Sequence, residues 1–258
     1  MILILSIILF ILLAIVGKSR GVKTFFSFYL SFILIMIFVV FMSFGFNAII
    51  LSLIICILSS MICLFLLNGY NLKTKSAFIS IMIVLVILFS LIYFIGKNAN
   101  ITGFGYESLD SIGGYSSEIN YDMSNVMIGM YLVCIIGTII DTSISISSSM
   151  NEVYENNPKI KSNELYKSGM NVGGDILSTT ISTLFFALIS TFIGFFMWHH
   201  SNDIGYLLNY KIFASDLIEL LLSFISSTLI IPITSYVSSK ILMKESIWRV
   251  FNEKIRSK

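Results

Sequence analysis

Seven long apolar runs, separated by short polar connections, dominate this 258-residue sequence. A helix needs about 20 apolar residues to cross the hydrocarbon core of a bilayer. Backbone polar groups find no water in that core, so only helices and closed barrels cross it, and runs of this length favour helices. The sequence therefore predicts an all-α, polytopic membrane protein with about seven transmembrane helices. The runs are 1–17, 24–45, 47–67, 77–96, 126–150, 176–198 and 213–242.

Composition excludes several other classes of protein. Hydrophobic residues make up 57% of the chain and charged residues 12%, and the net charge of +2 is too small to indicate a nucleic-acid partner. Cys56, Cys63 and Cys134 lie inside apolar runs without a CxxC motif, and His199 and His200 are interpreted as loop or interface residues. We therefore expect no metal site and no cofactor.

Basic residues predict the orientation of the chain. If all seven runs cross the membrane, fourteen of the sixteen Lys and Arg residues fall on one side, and only Lys97 and Lys211 fall on the other. Because positive charge accumulates in cytoplasmic loops, the N-terminus is expected outside and the C-terminus inside. Residues 1–258 then form a single transmembrane domain, with an extra helix at 1–17, a six-helix unit at 24–242 and a basic cytoplasmic tail at 243–258. Heavy use of Ile, Asn and Lys, without a targeting sequence, favours a multi-pass protein of a bacterial plasma membrane.

Three of the apolar runs carry polar residues at helical spacing. Residues three and four apart share one face of a helix, so each set predicts a polar stripe, and we expect the three stripes to face one another. Small hydroxylated residues also serve simply to pack membrane helices closely. The stripes are Thr138, Asp141, Ser145, Ser148 and Glu152; Asp175, Thr179, Ser182, Ser190 and Gly194; and Asp216, Glu219, Ser223, Ser226, Thr234 and Ser238.

Asp141 is the residue that packing alone does not explain. An aspartate near the centre of a bilayer costs about 2.5 to 3.5 kcal/mol on insertion scales, whereas a serine would pack equally well. Burial disfavours the charged form of a carboxylate, so protonation of Asp141 is able to follow conformation or an ion gradient. Asp141 is therefore the candidate proton-relay residue. Asp175, which follows Gly173 and Gly174, has the alternative role of a helix-start acid.

The sequence favours a protein without enzymatic activity of its own. Two aspartates on neighbouring membrane helices are also a feature of intramembrane aspartyl proteases, but their GxGD motif is replaced here by Val172, Gly173, Gly174 and Asp175. Neither a P-loop nor a dinucleotide-binding glycine motif is present, so we expect no nucleotide hydrolysis.

The segment 137–175 resembles the signature of the YibE/F family of bacterial membrane proteins. The resemblance lies in a GxxxD motif, an NE pair, an NP pair and the sequence KSGMNxG, followed by an aspartate. These elements are Gly137 and Asp141; Asn151 and Glu152; Asn157 and Pro158; and Lys167 to Gly173 with Gly169 and Asn171, before Asp175.

The same layout resembles the second half of SecD and SecF subunits and of the wider RND permease superfamily. The resemblance implies an RND-like six-helix unit whose fourth helix carries the relay aspartate, here Asp141. It also implies a partner, either a second RND-like subunit of the longer YibE-like type with an extracellular domain or a copy of this chain. In these families an arginine is common early in the fifth helix, where this chain has Gly174.

Two functional hypotheses follow. The first is a membrane subunit of a proton- or ion-coupled transport or export complex, in which Asp141 alternates between protonated and deprotonated states. The second is a non-conducting structural subunit that anchors a partner membrane protein. Under the second hypothesis, Asp141→Asn is harmless, and bulky residues at Gly137, Ser145 or Thr179 prevent assembly.

Overall fold

The computed structural model describes residues 1–98, 123–198, 205 and 211–256. These residues form helices joined by short connections, and this part of the chain contains no β-strand. Most of the connection between the apolar runs 77–96 and 126–150, together with His199 and His200, lies outside the described residues. The helices are α1 (Ile2–Ser43), α2 (Ala48–Met61, extended by a π-helical turn at Ile62–Leu66), α3 (Leu72–Asn98), α4 (Met123–Asn156), α5 (Ser162–Trp198) and α6 (Lys211–Arg256).

The described residues include six helices that are long and apolar enough to cross a membrane. This confirms the prediction of a helical membrane protein. Five of them contain the apolar runs that begin at residues 47, 77, 126, 176 and 213. The sixth, Ile4–Ser43, contains the first two runs together. The segment expected as a tail from residue 243 continues α6 as a helix to Arg256.

Helix α1 bends back on itself at its basic segment. As a straight helix, its 42 residues would extend about 63 Å, twice the thickness of the hydrocarbon core. Lys18 leaves the helical conformation with φ 48° and ψ −128°. Contacts then pair residues before the bend with residues after it: Ser6 is hydrogen-bonded to Tyr29, and the Phe10 and Phe25 rings lie 4.8 Å apart. The two segments of α1 therefore lie side by side and antiparallel.

Helix α4 lies at the centre of the bundle and contacts α2, α3, α5 and α6. Its apolar face, which includes the fully buried Tyr131 and Ile139, packs against Ile81 and Leu88 of α3 and Ile230 of α6 in the main core cluster. The Tyr131 hydroxyl extends this contact with a 2.8 Å hydrogen bond to the hydroxyl of Ser215 on α6.

Helix α5 is the least covered of the central helices. It packs on α6 and touches α4, but most of its length is exposed in the single chain. Leu165, Gly169, Gly173 and Phe192 are its buried residues within the part whose exposure is described. In a soluble protein such an apolar surface would face water, whereas here it faces lipid or another membrane protein.

Candidate functional site: the open face of α4 and α5

A group of buried hydroxyl groups joins α3, α4 and α6. The Ser143 hydroxyl of α4 lies 3.1 Å from that of Thr234 on α6, and the Ser147 hydroxyl lies 2.6 Å from that of Ser76 on α3. All four side chains are at most 2% exposed in the described chain. The small residues let three helices approach closely while their polar atoms remain hydrogen-bonded.

The buried hydroxyl groups of α4 are not the ones that the polar stripe predicted. Ser143 and Ser147 face α3 and α6, whereas Thr138, Ser145 and Ser148 are only half-buried. Both sets have helical spacing, so the sequence did not show which set faces the core. The apolar neighbours Ile139 and Ile146, which turn inward beside Ser143, decide the rotation of the helix.

We expect the hydrogen bond between Ser143 and Thr234 to contribute modestly to stability. Ser143→Ala and Thr234→Val should each lower the free energy of unfolding by about 1 kcal/mol in detergent micelles, the usual magnitude for such a bond. The double variant should lose less than the sum, since the two hydroxyls share one interaction. Additive losses, or an equal loss in the outward-facing control Ser148→Ala, would contradict this assignment.

Asp141 lies outside the buried hydroxyl groups that join α3, α4 and α6, on the side of α4 that borders α1 and α2. Its side chain is exposed, and it forms no hydrogen bond or ion pair with any described residue. It lines an open, mostly apolar groove of about 450 Å³ between α1, α2 and α4, where its neighbours include Leu34, Ile55 and Gly137. A Cβ atom at Gly137 would meet nothing within 4 Å, so the groove has free space beside Asp141.

The stripe on α5 also faces outward. Asp175, Thr179 and Ser182 are exposed, and the two hydroxyls donate to carbonyl groups of their own helix, those of Ile176 and Ser178. The expectation that the three stripes face one another is therefore wrong. The serine and threonine residues of the α6 stripe are buried, but Thr234 meets Ser143, which is not in the predicted stripe of α4, and Asp216 and Glu219 are half-buried.

Two glycines explain the rotation of α5. A Cβ atom at Gly169 would lie 2.6 Å from the Met150 sulfur and 2.7 Å from the Ser235 hydroxyl, and one at Gly173 would overlap Ile231. This GxxxG spacing puts both glycines on one face, where the backbone approaches α6 closely. The stripe that begins at Asp175 lies on the opposite face of the helix.

The last turns of α4 and the connection to α5 contain the polar pairs of the motif. Asn151 donates a 2.8 Å hydrogen bond to Glu155, and the backbone amide of Asn157 donates to the Val153 carbonyl at 3.0 Å. Glu152, Asn157, Pro158 and, in α5, Asn171 are exposed. The short turn therefore joins α4 to α5, and Asp141 and Asp175 are each exposed on their own helix.

We use the name open face for five exposed residues on the two helices: Gly137 and Asp141 of α4 and Gly174, Asp175 and Thr179 of α5. All five residues are exposed, and a Cβ atom at either glycine would meet nothing within 4 Å. The open face thus includes two carboxylates, one hydroxyl group and two accessible glycines. Sequence spacing identified Asp141, Asp175 and Thr179, and the family resemblance identified Gly137 and Gly174, but neither showed the direction in which these residues face.

Comparison with known proteins identifies the group to which the chain belongs. A family model described as YibE/F-like protein matches residues 5–244, nearly the whole sequence. The chain belongs to the YibE/F family. No curated protein and no solved structure was found to match it. The matched range extends well beyond the segment 137–175, on which the resemblance to the family was based. It includes all six long apolar helices.

Proposed function

We propose that this YibE/F-family chain is a membrane subunit of a proton- or ion-coupled transport complex, with Asp141 as its proton-relay carboxylate. The observation that carries the proposal is the exposed, unpartnered position of Asp141 on the open face. A carboxylate in this position needs a proton, a cation or a second protein to cover it.

The depth of Asp141 supports the same proposal. It lies about 27 Å from the first residue of α4 and about 22 Å from the last, close to the middle of the helix. An aspartate at the centre of a bilayer costs about 2.5 to 3.5 kcal/mol on insertion scales. A partner subunit or a protein-lined water path removes most of that cost, whereas contact with acyl chains does not.

The shape of the open face favours a second helical subunit as its cover. Gly137 and Gly174 leave the backbones of α4 and α5 accessible, which permits close helix approach. The partner in this proposal is a second RND-like subunit, either a longer YibE-like protein with an extracellular domain or a copy of this chain. The assembled complex lies in a bacterial plasma membrane.

The proposal includes seven membrane crossings, with the N-terminus outside and the C-terminus inside. The antiparallel contacts within α1 support two crossings in that helix, one on each side of Lys18. The charge distribution between the crossings supports the orientation, because all but two of the basic residues then lie on the cytoplasmic side.

A structural subunit is the second candidate function. Gly174 favours this candidate. It stands where an arginine is common in the family, so the chain has no positive charge beside Asp175 at that position. In this version the open face anchors the partner, and Asp141 is a neutral, hydrogen-bonded contact.

Replacement of Asp141 by Asn in the intact complex separates the two candidates. Asn keeps the size and hydrogen-bonding capacity of the side chain but cannot exchange a proton. We expect proton flux into membrane vesicles that contain the complex to fall about tenfold or more, as for loss of a proton-transfer group. The complex should still assemble, and the matched control Ser145→Ala should keep normal flux. Normal flux in an assembled Asp141→Asn complex would favour the structural subunit.

A further inference from the structure

The groove beside Asp141 has walls from three helices of this chain. Its volume is about 450 Å³, and α1, α2 and α4 all contribute lining residues. We propose that it binds a single-chain amphipathic amine, with the alkyl chain between the helices and the cationic amino group against the Asp141 carboxylate. Because the walls all belong to one chain, the site goes beyond the proton-relay role of Asp141 and does not depend on it.

Most of the groove is lined by aliphatic side chains. Leu34 and Ile35 extend from α1, Ile55 from α2, and Val133 and Ile140 from α4. Leu34, Ile55 and Ile140 are buried, so these walls belong to the packed interior of the bundle. Small-molecule sites are cavities of about 300 to 1,000 Å³ that are mostly apolar and have a few polar groups to orient the ligand. The groove is therefore suited to an alkyl chain.

Two contacts show that α2 and α4 run side by side in the same direction. A Cβ atom at Gly129 would lie 3.2 Å from the Ala48 carbonyl oxygen, and the Cys56 thiol donates to the Leu132 carbonyl oxygen at 3.4 Å. Residue numbers rise on both helices from the first contact to the second, so the helices are parallel. Residues that follow the second contact on either helix therefore lie toward the same end of the groove.

The carboxylate and the carboxamide of the groove lie toward that end. Asp141 lies about 14 Å beyond Leu132 along α4, and Asn68 lies about 17 Å beyond Cys56 along α2. Both Asp141 and Asn68 are exposed and line the groove. Ile55, next to Cys56, lies at the other end. The groove thus has an apolar end and a polar end, which is the polarity of a single-chain amphiphile.

The charge of the polar end favours a cationic headgroup. Among the described residues that line the groove, Asp141 is the only acidic or basic one, and it forms no hydrogen bond or ion pair with any described residue. A primary ammonium group has three donors, so it binds the carboxylate and keeps donors for the oxygen atoms of Asn68 or Ser31. A fatty acid would bring two negative charges together, and an alcohol would leave the carboxylate without a counter-charge.

The groove opens sideways along α4. Cys134, Gly137 and Asp141 line it and are exposed, and their spacing of three and four residues puts them on one stripe of the helix. A Cβ atom at Gly137 would meet nothing within 4 Å, so this side leaves room for a ligand. In a membrane protein an exposed stripe of this kind is accessible from the bilayer, where a single-chain amphiphile is dissolved.

Photoaffinity labelling of the purified full-length chain tests the site. The chain is placed in nanodiscs of phosphatidylcholine, which has no primary amine, and is labelled with tetradecylamine that carries a diazirine in its alkyl chain. Labelling should saturate, map to the groove residues of α1, α2 and α4, and be displaced by unmodified tetradecylamine. The same diazirine on tetradecanol or tetradecanoic acid should label weakly and without saturation.

Two variants alter the polar and the apolar part of the site. Asp141→Asn removes the charge at constant size, so the half-saturating concentration of the amine should rise about tenfold or more, as for loss of a charge-assisted hydrogen bond. Gly137→Leu fills the space beside Asp141 and should also weaken labelling, although the added Cβ atom meets nothing that would prevent folding. Val86→Leu, at an exposed position of α3, should label like the wild type.

Saturable labelling that is selective for the amine and dependent on Asp141 supports the site. Three results would overturn it: labelling of the wild type that does not saturate, equal saturable labelling by the alcohol and the amine, or an unchanged half-saturating concentration in Asp141→Asn. The measurement uses the isolated chain without a proton gradient, so its failure is distinguishable from a failure of the proton relay.

Discussion

Gly173→Leu is expected to lower the free energy of unfolding by about 3 kcal/mol or more, the upper range for overpacking a close contact. A Cβ atom at this position already overlaps the buried Ile231 of α6 and would lie 3.2 Å from its Cβ atom, and χ1 of a β-branched side chain is strongly restricted. The leucine must therefore separate α5 from α6. Unfolding of the purified protein in mixed detergent micelles measures the loss.

The adjacent glycine provides the matched control. Gly174 is exposed, and an added Cβ atom would meet nothing within 4 Å. Gly174→Leu should therefore leave stability unchanged or raise it by up to about 1 kcal/mol, because glycine is a poor helix former. Equal destabilisation by the two variants would show that the α5–α6 contact is not the one described.

Thr179→Trp is expected to disrupt the complex while leaving the isolated chain folded. Thr179 is exposed on the open face, and its hydroxyl donates only to the Ile176 carbonyl of its own helix. A tryptophan there adds bulk where a partner helix is proposed to pack, at a cost of about 1 to 3 kcal/mol. Each 1.4 kcal/mol corresponds to a tenfold change in affinity, so the affinity for the partner should fall about 5- to 140-fold, and the assembled fraction should fall with it. Native gel electrophoresis of solubilised membranes measures that fraction.

Val86→Trp is the control for this substitution. Val86 is 68% exposed on α3, away from the open face. The Val86→Trp variant should therefore assemble, and unfold, like the wild type. If Thr179→Trp assembles normally, the open face is not where a partner binds.

The sequence predicted the helices well but not their ends. Hydropathy located the apolar centres of all six long helices. It missed the polar extensions of α4 to Asn156 and of α5 back to Ser162, because these turns lie beyond the apolar core and are held by hydrogen bonds of the connection. It also separated 1–17 from 24–45, and the structure has two antiparallel helical segments on either side of Lys18.

The candidate site shows what periodicity leaves undetermined. A spacing of three and four residues groups Asp141 with Ser145 and, equally well, Ser143 with Ser147. Which group is buried depends on the residues that pack from α3 and α6, and these contacts are distant in sequence. The sequence therefore named Asp141 as a candidate residue but placed it against neighbours that it does not contact.

The glycines of the motif KSGMNVGGD carry information that hydropathy does not use. Gly169 and Gly173, four residues apart, permit close packing on α6, and their position turns Asp175 and Thr179 outward. A GxxxG spacing ahead of the stripe was visible in the sequence, and it would have indicated that the stripe lies on the other side of α5.

Photocrosslinking from Ser182 in native membranes tests the central claim most directly. Ser182 is exposed on α5 one turn beyond Thr179, so a benzophenone amino acid there borders the open face without entering the close contact proposed at Gly174. If the open face meets a second subunit, irradiation should join the chain to one membrane polypeptide, and Asp141→Asn should leave that product intact. The same probe at Val86 should label lipid alone. Lipid adducts alone at Ser182 would mean that Asp141 and its neighbours face acyl chains, and the proposed relay would then be wrong.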